Sequence, residues 1–352
     1  MDYIHIKGYK SIKDAKVELR PINILIGANG SGKSNFLSFF EFLNNLFERK
    51  LTEYIALNGG EDKFLYHSSK VTEQIESTLS FNNEVNGYSF ILEKGTDGLI
   101  FTKEFLLFNK DKGWNIASIE KEAHIKKSDN YRKKYILGYL KGLKKYHFHD
   151  TGKNSPFNKL SRIPNDTRFL YEKGDNLAAF LYHIQDKYSI VYNRIIKVIQ
   201  SIAPYFSDFF FQPNDEGYLR LEWQDKYSSN VYGASDLSDG TIRFIALTAL
   251  FMQPDLPETI IIDEPELGLH PFAISKLAGM IQSVAAKGTQ VIVATQSTDL
   301  MSYFNPDDII AVDQHNGESV FNRLKQEDLD IWLTDYSLGD LWKRNIITEG
   351  QP

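Results

Sequence analysis

Apolar residues recur along the chain at two spacings, which predict both strands and helices. Ile22–Ile26 is a short apolar run of the kind found in buried strands. In residues 35–49 apolar positions recur at helical spacing, which predicts a helix with one apolar side. Those positions are Phe36, Phe39, Phe40, Leu43, Leu46 and Phe47. We therefore expect a strand, a short loop and a helix in direct succession.

Alternation of apolar and polar residues predicts further strands on both sides of this unit. The alternating segments are residues 3–10, 15–19, 72–81, 88–93 and 99–108. Polar turns separate the last three segments, and short connections of this kind join antiparallel neighbours. We therefore expect an antiparallel β subdomain beside the first helix.

The second half of the chain combines helical patterns with buried strands. Residues 176–201 carry apolar residues at helical spacing, and residues 218–223 alternate as a strand. Residues 259–264 and 289–294 are rich in β-branched residues and are typical of buried parallel strands. Helices that alternate with such strands indicate an α/β fold.

Composition narrows the classes of protein that remain. The chain has 352 residues, of which 42% are hydrophobic and 24% charged, which is typical of a globular protein. It contains no cysteine, so disulfides and cysteine-ligated metal centres are excluded. The net charge of −6 gives no global basic field for nucleic acid. No apolar run approaches the length of a membrane span, and we expect a cytoplasmic protein without a membrane partner.

The loop Gly27-Ala28-Asn29-Gly30-Ser31-Gly32-Lys33-Ser34 matches the phosphate-binding loop pattern. Lys33 is placed to reach the β- and γ-phosphates of ATP, and Ser34 to hold Mg²⁺. Amides of the loop and of the helix start form a nest for phosphate oxygens. The candidate ATP-binding residues here are Asn29, Gly30, Ser31, Gly32, Lys33, Ser34 and Asn35. A glycine-rich turn that binds nothing is the alternative, and the strand–loop–helix context argues against it.

Two carboxylates follow the buried strand at residues 259–262. Asp263 there can hold Mg²⁺, directly or through water, and Glu264 can polarise the water that attacks the γ-phosphate. An open α/β sheet places its ligand at the carboxyl ends of its strands, which is where these residues fall. An acidic turn after a core strand is the alternative interpretation, and the phosphate-binding loop makes it less favoured.

Two polar segments are further candidates for contact with phosphate. In Leu237-Ser238-Asp239-Gly240-Thr241, Ser238 suits the N-cap of the apolar helix that follows. Such a helix start either belongs to a capped core helix that binds no ligand, or binds a phosphate from another subunit. The segment alone favours neither alternative. Gln296 lies just after the buried strand at residues 289–294, where it either senses the γ-phosphate or belongs to an ordinary polar turn.

A basic run lies between residues 126 and 145, with tyrosines interleaved. It is either a surface for nucleic acid or an acidic partner, or the solvated face of an amphipathic helix. The nearby His147 and His149 share one face of a strand, and without a third ligand in register a structural role is favoured over a metal site.

The order of these motifs resembles the ABC-type ATPase heads of the SMC, RecF and OLD groups, as found in stand-alone AAA-family predicted ATPases. The resemblance rests on the phosphate-binding loop, Leu237–Thr241, the Asp263-Glu264-Pro265 segment and the strand that ends at Gln296. It implies a P-loop NTPase of ABC-ATPase type, with a mostly parallel core sheet, an antiparallel β subdomain and a helical insertion. Lys10 in Gly8-Tyr9-Lys10-Ser11, otherwise a solvated turn lysine, becomes a possible nucleotide contact.

The resemblance also implies an organisation and an assembly. The two lobes of the head cover residues 1–115 and 226–352, with a mainly helical insertion at 116–225. Two heads are expected to dimerise head to tail, with Ser238 and Gly240 binding the γ-phosphate in trans. Gln296 replaces the histidine usual at the switch position, and slow turnover is therefore expected. His67 and Gln74 lie where the Q-loop is expected, and neither fits it convincingly.

The leading hypothesis is an Mg²⁺-dependent ATPase whose ATP-bound homodimer, or a higher assembly, controls a separate effector. That effector is a nuclease or a toxin in bacterial anti-phage defence, expected on a separate chain because no nuclease domain follows the head. The alternative is a RecF- or SMC-like, ATP-gated DNA-binding protein in DNA repair or maintenance. A transporter ATPase is disfavoured by the long insertion, by Gln296 and by the Lys10-Ser11 opening.

Overall fold

The computed structural model describes residues 1–109, 112–116 and 119–348, which form two compact units. The first unit comprises the described parts of Met1–Lys145, Glu258–Ile261 and Gln290–Pro352. The second comprises Tyr146–Pro257 and Ile262–Thr289. Neither unit is one continuous segment of the chain. The three segments expected from the sequence, divided at residues 115 and 225, remain a prediction.

The strands and helices follow one another along the whole described chain. The strands are β1 (Tyr3–Tyr9), β2 (Ile12–Glu18), β3 (Ile22–Ile26), β4 (Gln74–Phe81), β5 (Asn86–Gly95), β6 (Gly98–Phe108), β7 (Lys112–Asn115), β8 (Leu143–Tyr146), β9 (Ser161–Arg162), β10 (Phe206–Phe209), β11 (Tyr218–Leu219), β12 (Glu222–Asp225), β13 (Val231–Gly233), β14 (Thr259–Asp263), β15 (Gln290–Ala294), β16 (Ile309–His315) and β17 (Glu318–Arg323). The helices are α1 (Lys33–Glu48), α2 (Leu51–Leu57), α3 (Lys133–Lys141), α4 (Ile163–Asp166), α5 (Leu177–Lys187), α6 (Ser189–Ile202), α7 (Asp239–Met252), α8 (Pro271–Ala286), α9 (Thr298–Met301), α10 (Gln326–Leu333) and α11 (Leu338–Lys343).

The core sheet has the strand order β17-β16-β3-β15-β14-β8. β3 pairs in parallel with β15 on one side and with β16 on the other, while β16 and β17 are antiparallel. Ile24, Leu25 and Ile26 of β3 are fully buried, as expected for a central strand covered on both faces. The predicted α/β fold with parallel strands in its core sheet is confirmed.

The first unit also contains the predicted antiparallel sheet, in the order β2-β1-β4-β5-β6-β7. Several strand bounds differ from the prediction by one to three residues, and the starts of β2 and β5 have a clear cause. β2 already begins at Ile12, because the turn after β1 is only two residues long and Tyr9 pairs directly with Ile12. β5 begins at Asn86, because the preceding turn is completed by three residues with positive φ, Asn82, Asn83 and Glu84.

The helix after the phosphate-binding loop is more deeply buried than its pattern predicts. It begins at Lys33 rather than at residue 35, and Leu37 and Phe42 are buried together with all six predicted apolar positions. Its side chains share one hydrophobic cluster with residues of both sheets of the first unit. Position and direction of α1 are therefore fixed by packing on more than one side.

In the second unit, two predicted elements are each divided in two. The helical stretch at residues 176–201 is interrupted at Tyr188, whose φ of −134° and ψ of 54° lie outside the helical range. The predicted strand at residues 218–223 forms two short strands, because β11 pairs with β9 while β12 pairs with β10 and β13. Among the described residues, no helix is long and apolar enough to cross a membrane.

Glu104 is a fully buried acid in the antiparallel sheet of the first unit. Its carboxylate accepts hydrogen bonds from the Tyr88 hydroxyl at 2.8 Å, the His124 amide at 2.8 Å and the Ile125 amide at 3.0 Å. Burial raises the pKa of Glu104 above its usual value, and these hydrogen bonds oppose that shift. Glu104 thus holds the segment at residues 123–125 on the sheet.

Replacing Glu104 by alanine should destabilise the protein by about 3 kcal/mol, since two buried donors and one partly buried donor lose their acceptor at ~1–3 kcal/mol each. Glu104→Gln should cost less. Burial raises the pKa of Glu104 in the folded state above its value in the unfolded state. The stability that protonated Glu104 contributes is therefore fully present below the unfolded-state pKa, and it is lost as pH rises through the folded-state pKa. Urea unfolding at a series of pH values should show the wild type losing stability relative to Glu104→Gln as pH rises. A difference between the two that does not depend on pH would contradict this account.

Candidate functional site

The phosphate-binding loop joins the central strand β3 to α1 within the first unit. Gly27 has a φ of 152° and Gly32 a φ of 112°, conformations that favour glycine. A Cβ on Gly27 would lie 2.1 Å from the Val312 carbonyl oxygen, and one on Gly32 would lie 1.9 Å from Ser319 Oγ. The loop backbone therefore passes too close to β16 and β17 for any side chain at these positions.

The Lys33 ammonium lies against this loop. Nζ donates to the Gly27 carbonyl at 2.6 Å and to the Ala28 carbonyl at 2.9 Å, and the residue is only 5% exposed. A buried cation of this kind is stabilised by hydrogen bonds to the backbone and by any anion that the loop accepts. Lys33 thus lies at the loop whose bound phosphate it is predicted to contact.

The surroundings of the loop fit a phosphate group. A helix leaves its first amides without intrahelical partners, and among the described residues α1 has no side-chain cap and no acidic residue in its first turn. Ser31 Oγ is buried and finds no hydrogen-bond partner in the described part of the chain. Asn29, Gly30 and Ser34 are exposed at the surface of the loop. The residues present can therefore hold an anion of the type predicted.

Side-chain hydroxyl and amide groups form a hydrogen-bonded network that contacts the loop backbone at Ser31. Ser319 Oγ donates to the Ser31 carbonyl at 2.7 Å and is also hydrogen-bonded to the Ser11 hydroxyl at 2.8 Å. Asn35 Nδ2 donates to Ser11 Oγ at 2.8 Å. Ser319 has no motif around it, and its 288-residue separation from Ser31 explains why the sequence gives no signal for it.

Lys10 lies beside α1 instead of extending into solvent. Its ammonium donates to Ser38 Oγ at 2.8 Å and lies 5.5 Å from the Phe64 ring centroid. Burial lowers the pKa of Lys10. With Asn35 and His67 it lines a cavity of 640 Å³ in the first unit. This position is compatible with a contact between Lys10 and nucleotide, which remains a prediction.

The structure separates the two Q-loop candidates and places the switch candidate on the loop. His67 lines the cavity beside Lys10, whereas Gln74 is exposed and donates to Glu76 Oε1 at 2.6 Å. Gln296 follows β15, and its Nε2 donates to Asn29 Oδ1 at 2.8 Å. Gln296 and the phosphate-binding loop are therefore brought together within the first unit.

The predicted carboxylates lie in the second unit. Asp263 is the last residue of β14, and the His149 imidazole is hydrogen-bonded to its carbonyl oxygen at 2.9 Å. Glu264 has a φ of 41°, which a residue other than glycine rarely adopts and which is typical of functional positions. The His147 and His149 rings lie side by side, 4.4 Å apart. Among the described residues, no cluster of three or more His, Cys, Asp or Glu side chains is arranged to hold a metal.

Ser238 is the N-cap of α7, as its sequence context predicts. Its Oγ accepts a hydrogen bond from the Thr241 amide at 3.3 Å, and the N-cap residue itself is exposed. Gly240 lies against a second loop of the unit, since a Cβ there would be 2.4 Å from the Gly268 carbonyl oxygen. The start of α7 and the turn at Gly268 are therefore in direct contact.

Arg243 connects these elements, and it was not predicted from the sequence. Its guanidinium donates to the carbonyls of Phe148 at 3.1 Å and His149 at 3.2 Å, and also to that of Leu267. Burial lowers the pKa of Arg243. The sequence does contain a signal for Arg243, which is the single cation inside the apolar run of α7. A cation buried at such a position needs hydrogen-bond acceptors around it.

Comparisons with known proteins agree with this architecture. The SMC head bound to the C-terminal winged-helix domain of ScpA has a TM-score of 0.63 at 19% identity, covering 94% of this chain and 99% of that one. An SMC head with an extended coiled coil, bound to the C-terminal domain of ScpA derived from Pyrococcus furiosus, has a TM-score of 0.57 at 14% identity, covering 95% and 98%. A comparison with curated proteins gave no match.

At these identities the solved structures define the fold, and the predicted SMC-type head is confirmed at that level. The family model covers most of the chain, from the start of β3 to a point beyond Gln296. It matches residues 22–302, and the chain thus belongs to the family described as "AAA domain, putative AbiEii toxin, Type IV TA system".

Proposed function

We propose that the protein is an Mg²⁺-dependent ATPase whose ATP-bound, head-to-tail dimer switches a separate effector. The observation that carries this proposal is the phosphate-binding loop, with Lys33 held on its carbonyls and Gln296 bonded to Asn29. A loop of this kind in front of a buried helix is an anion site with a built-in cation. Membership of a family described as an AAA domain supports nucleotide as the anion.

Each candidate residue has a role in this proposal. The loop amides and Lys33 would hold the phosphates of ATP, with Lys10 as a further contact. Ser34 and Asp263 would hold Mg²⁺, which supplies neutralisation of phosphate charge. Glu264 would polarise the attacking water, and its unusual φ supports a functional position.

The second half of the site would come from a partner head. Ser238 and Gly240 would bind the γ-phosphate held by the other chain, which requires an accessible helix start. The exposed N-cap of α7 supports this, and the helix start is braced by Gly268 and Arg243. Hydrolysis would then separate the two heads.

The effector would be a separate protein, such as a nuclease or toxin in anti-phage defence. The family description names a toxin and a type IV TA system. The similar SMC heads were crystallised with domains of another protein, ScpA. Both points support control of a partner by analogy, since function resides in sites and not in the fold.

Complementation between two inactive variants tests the head-to-tail site. Lys33→Ala removes the predicted phosphate-binding cation, and Ser238→Arg obstructs the exposed start of α7, so each variant alone should lose ATPase activity. In an equal mixture, half of the dimers are mixed and each contains one intact site. Activity should therefore recover to as much as about a quarter of the wild-type rate. A mixture no more active than the mean of its parents would contradict a shared site.

A second candidate function is ATP-gated binding of DNA, in DNA repair or maintenance. The favouring observation is that Tyr131 and Tyr135 are exposed beside Arg132 and Lys134 at the start of the basic run. Exposed aromatic rings with cations suit nucleic acid. Lys133 contributes less, because its ammonium donates to the carbonyls of Lys126 and Ser128.

If this surface binds DNA, Lys134→Glu with Lys141→Glu should weaken duplex binding by on the order of tenfold or more and flatten its salt dependence. Both lysines are exposed, so the fold should tolerate the change. Lys153→Glu, at another exposed position, is the matched control. Fluorescence anisotropy at several salt concentrations measures the effect. Equal DNA binding by the wild type, the double variant and the Lys153→Glu control would contradict a role for the basic run in DNA binding.

A further inference from the structure

An open groove crosses the second unit between α6, the end of α7 and α8. It has a volume of 640 Å³, in the range of binding pockets. Its apolar lining comes from all three helices: Val191, Val198, Phe251, Met252, Phe272 and Met280. At Gly279 a side chain would meet no atom within 4 Å, so the groove is open there as well.

The rim of this groove is basic. Arg194, Lys276 and Lys287 line it, and neither α6 nor α8 contains a single carboxylate. This is unusual in a chain of net charge −6. Within the described part of the chain, none of the three cations has an ion-pair partner. The groove therefore suits an occupant that is both acidic and apolar.

Such a segment exists in the first unit, at α10. Ile331 is 87% exposed, the highest value among the large apolar residues described, and the neighbouring Trp332 is also exposed. The same short helix carries Glu327, Asp328 and Asp330 and no basic residue. Leu329 is its only buried residue among those described. α10 thus presents apolar and acidic side chains to solvent, which is the complement of the groove.

We propose that α10 of one copy of this chain docks in the α6–α8 groove of a second copy. Ile331 and Trp332 would bury their apolar surface on the groove floor, and the carboxylates would meet the basic rim. The groove is open and the apolar side chains of α10 are exposed, so a second copy can reach both surfaces. The two surfaces differ, which makes the contact heterologous. It is distinct from the nucleotide sandwich and needs none of its residues.

Cross-linking between two single-cysteine variants tests this contact directly, because the chain contains no cysteine of its own. Ser283→Cys places a thiol on the groove, and Ile331→Cys places one on α10. After mild oxidation without nucleotide, an equal mixture should form a covalent heterodimer. Leu57→Cys, at a position 79% exposed in the first unit, replaces Ile331→Cys as the control. A yield no higher than that of the control would overturn the proposal.

Charge reversal tests the pairing of the two surfaces. Adding Lys276→Glu to the groove variant, or Asp330→Lys to the α10 variant, should lower the cross-linking yield by about tenfold. Combining both changes, one on each chain, should restore most of the yield. Sedimentation gives an independent measure: Ile331→Glu should abolish self-association without nucleotide, and Leu57→Glu should not. Yields insensitive to charge, or a wild-type chain that stays monomeric at high concentration, would contradict the proposal.

Discussion

The close approach of the phosphate-binding loop to β16 and β17 is the constraint on which the first unit depends. Gly27 and Gly32 leave no space for a side chain against Val312 and Ser319, so the loop is held between the core sheet and α1. This packing keeps the buried ammonium of Lys33 on the loop carbonyls. A cation that is held in position before an anion enters is preorganised, which supports the predicted role of Lys33 in binding phosphate.

The second unit is organised around a different buried cation. Arg243 donates to three backbone carbonyls, which come from the segment at Phe148 and His149 and from Leu267. Removing one partner of a buried, hydrogen-bonded charge is costly, so these segments and the start of α7 should move as one body. If nucleotide bound by a partner head contacts the exposed N-cap of α7, Arg243 would therefore transmit that contact to the turn at Leu267. This turn follows Asp263 and Glu264, the predicted Mg²⁺ ligand and the predicted water-activating carboxylate.

What the sequence could predict depended on how local each signal was. The phosphate-binding loop, the central strand and the N-cap at Ser238 follow from short patterns, and the structure contains all three. The interruption at Tyr188 was missed, because the apolar spacing continues through it while the backbone does not. Ser319 could not be identified at all, since it meets Ser31 only after the chain has folded. Arg243 was visible in the sequence, but its partners were not.

The proposed switch requires that ATP binding closes two heads on each other. The most direct measurement is the solution mass of the Glu264→Gln variant with and without Mg²⁺–ATP, because this substitution should slow hydrolysis and retain the bound nucleotide. We expect a higher mass with nucleotide than without it. When Ser238→Arg is added to the same variant, nucleotide should no longer change the mass. A mass that is the same with and without nucleotide, in a variant shown to bind ATP, would contradict a nucleotide-driven switch.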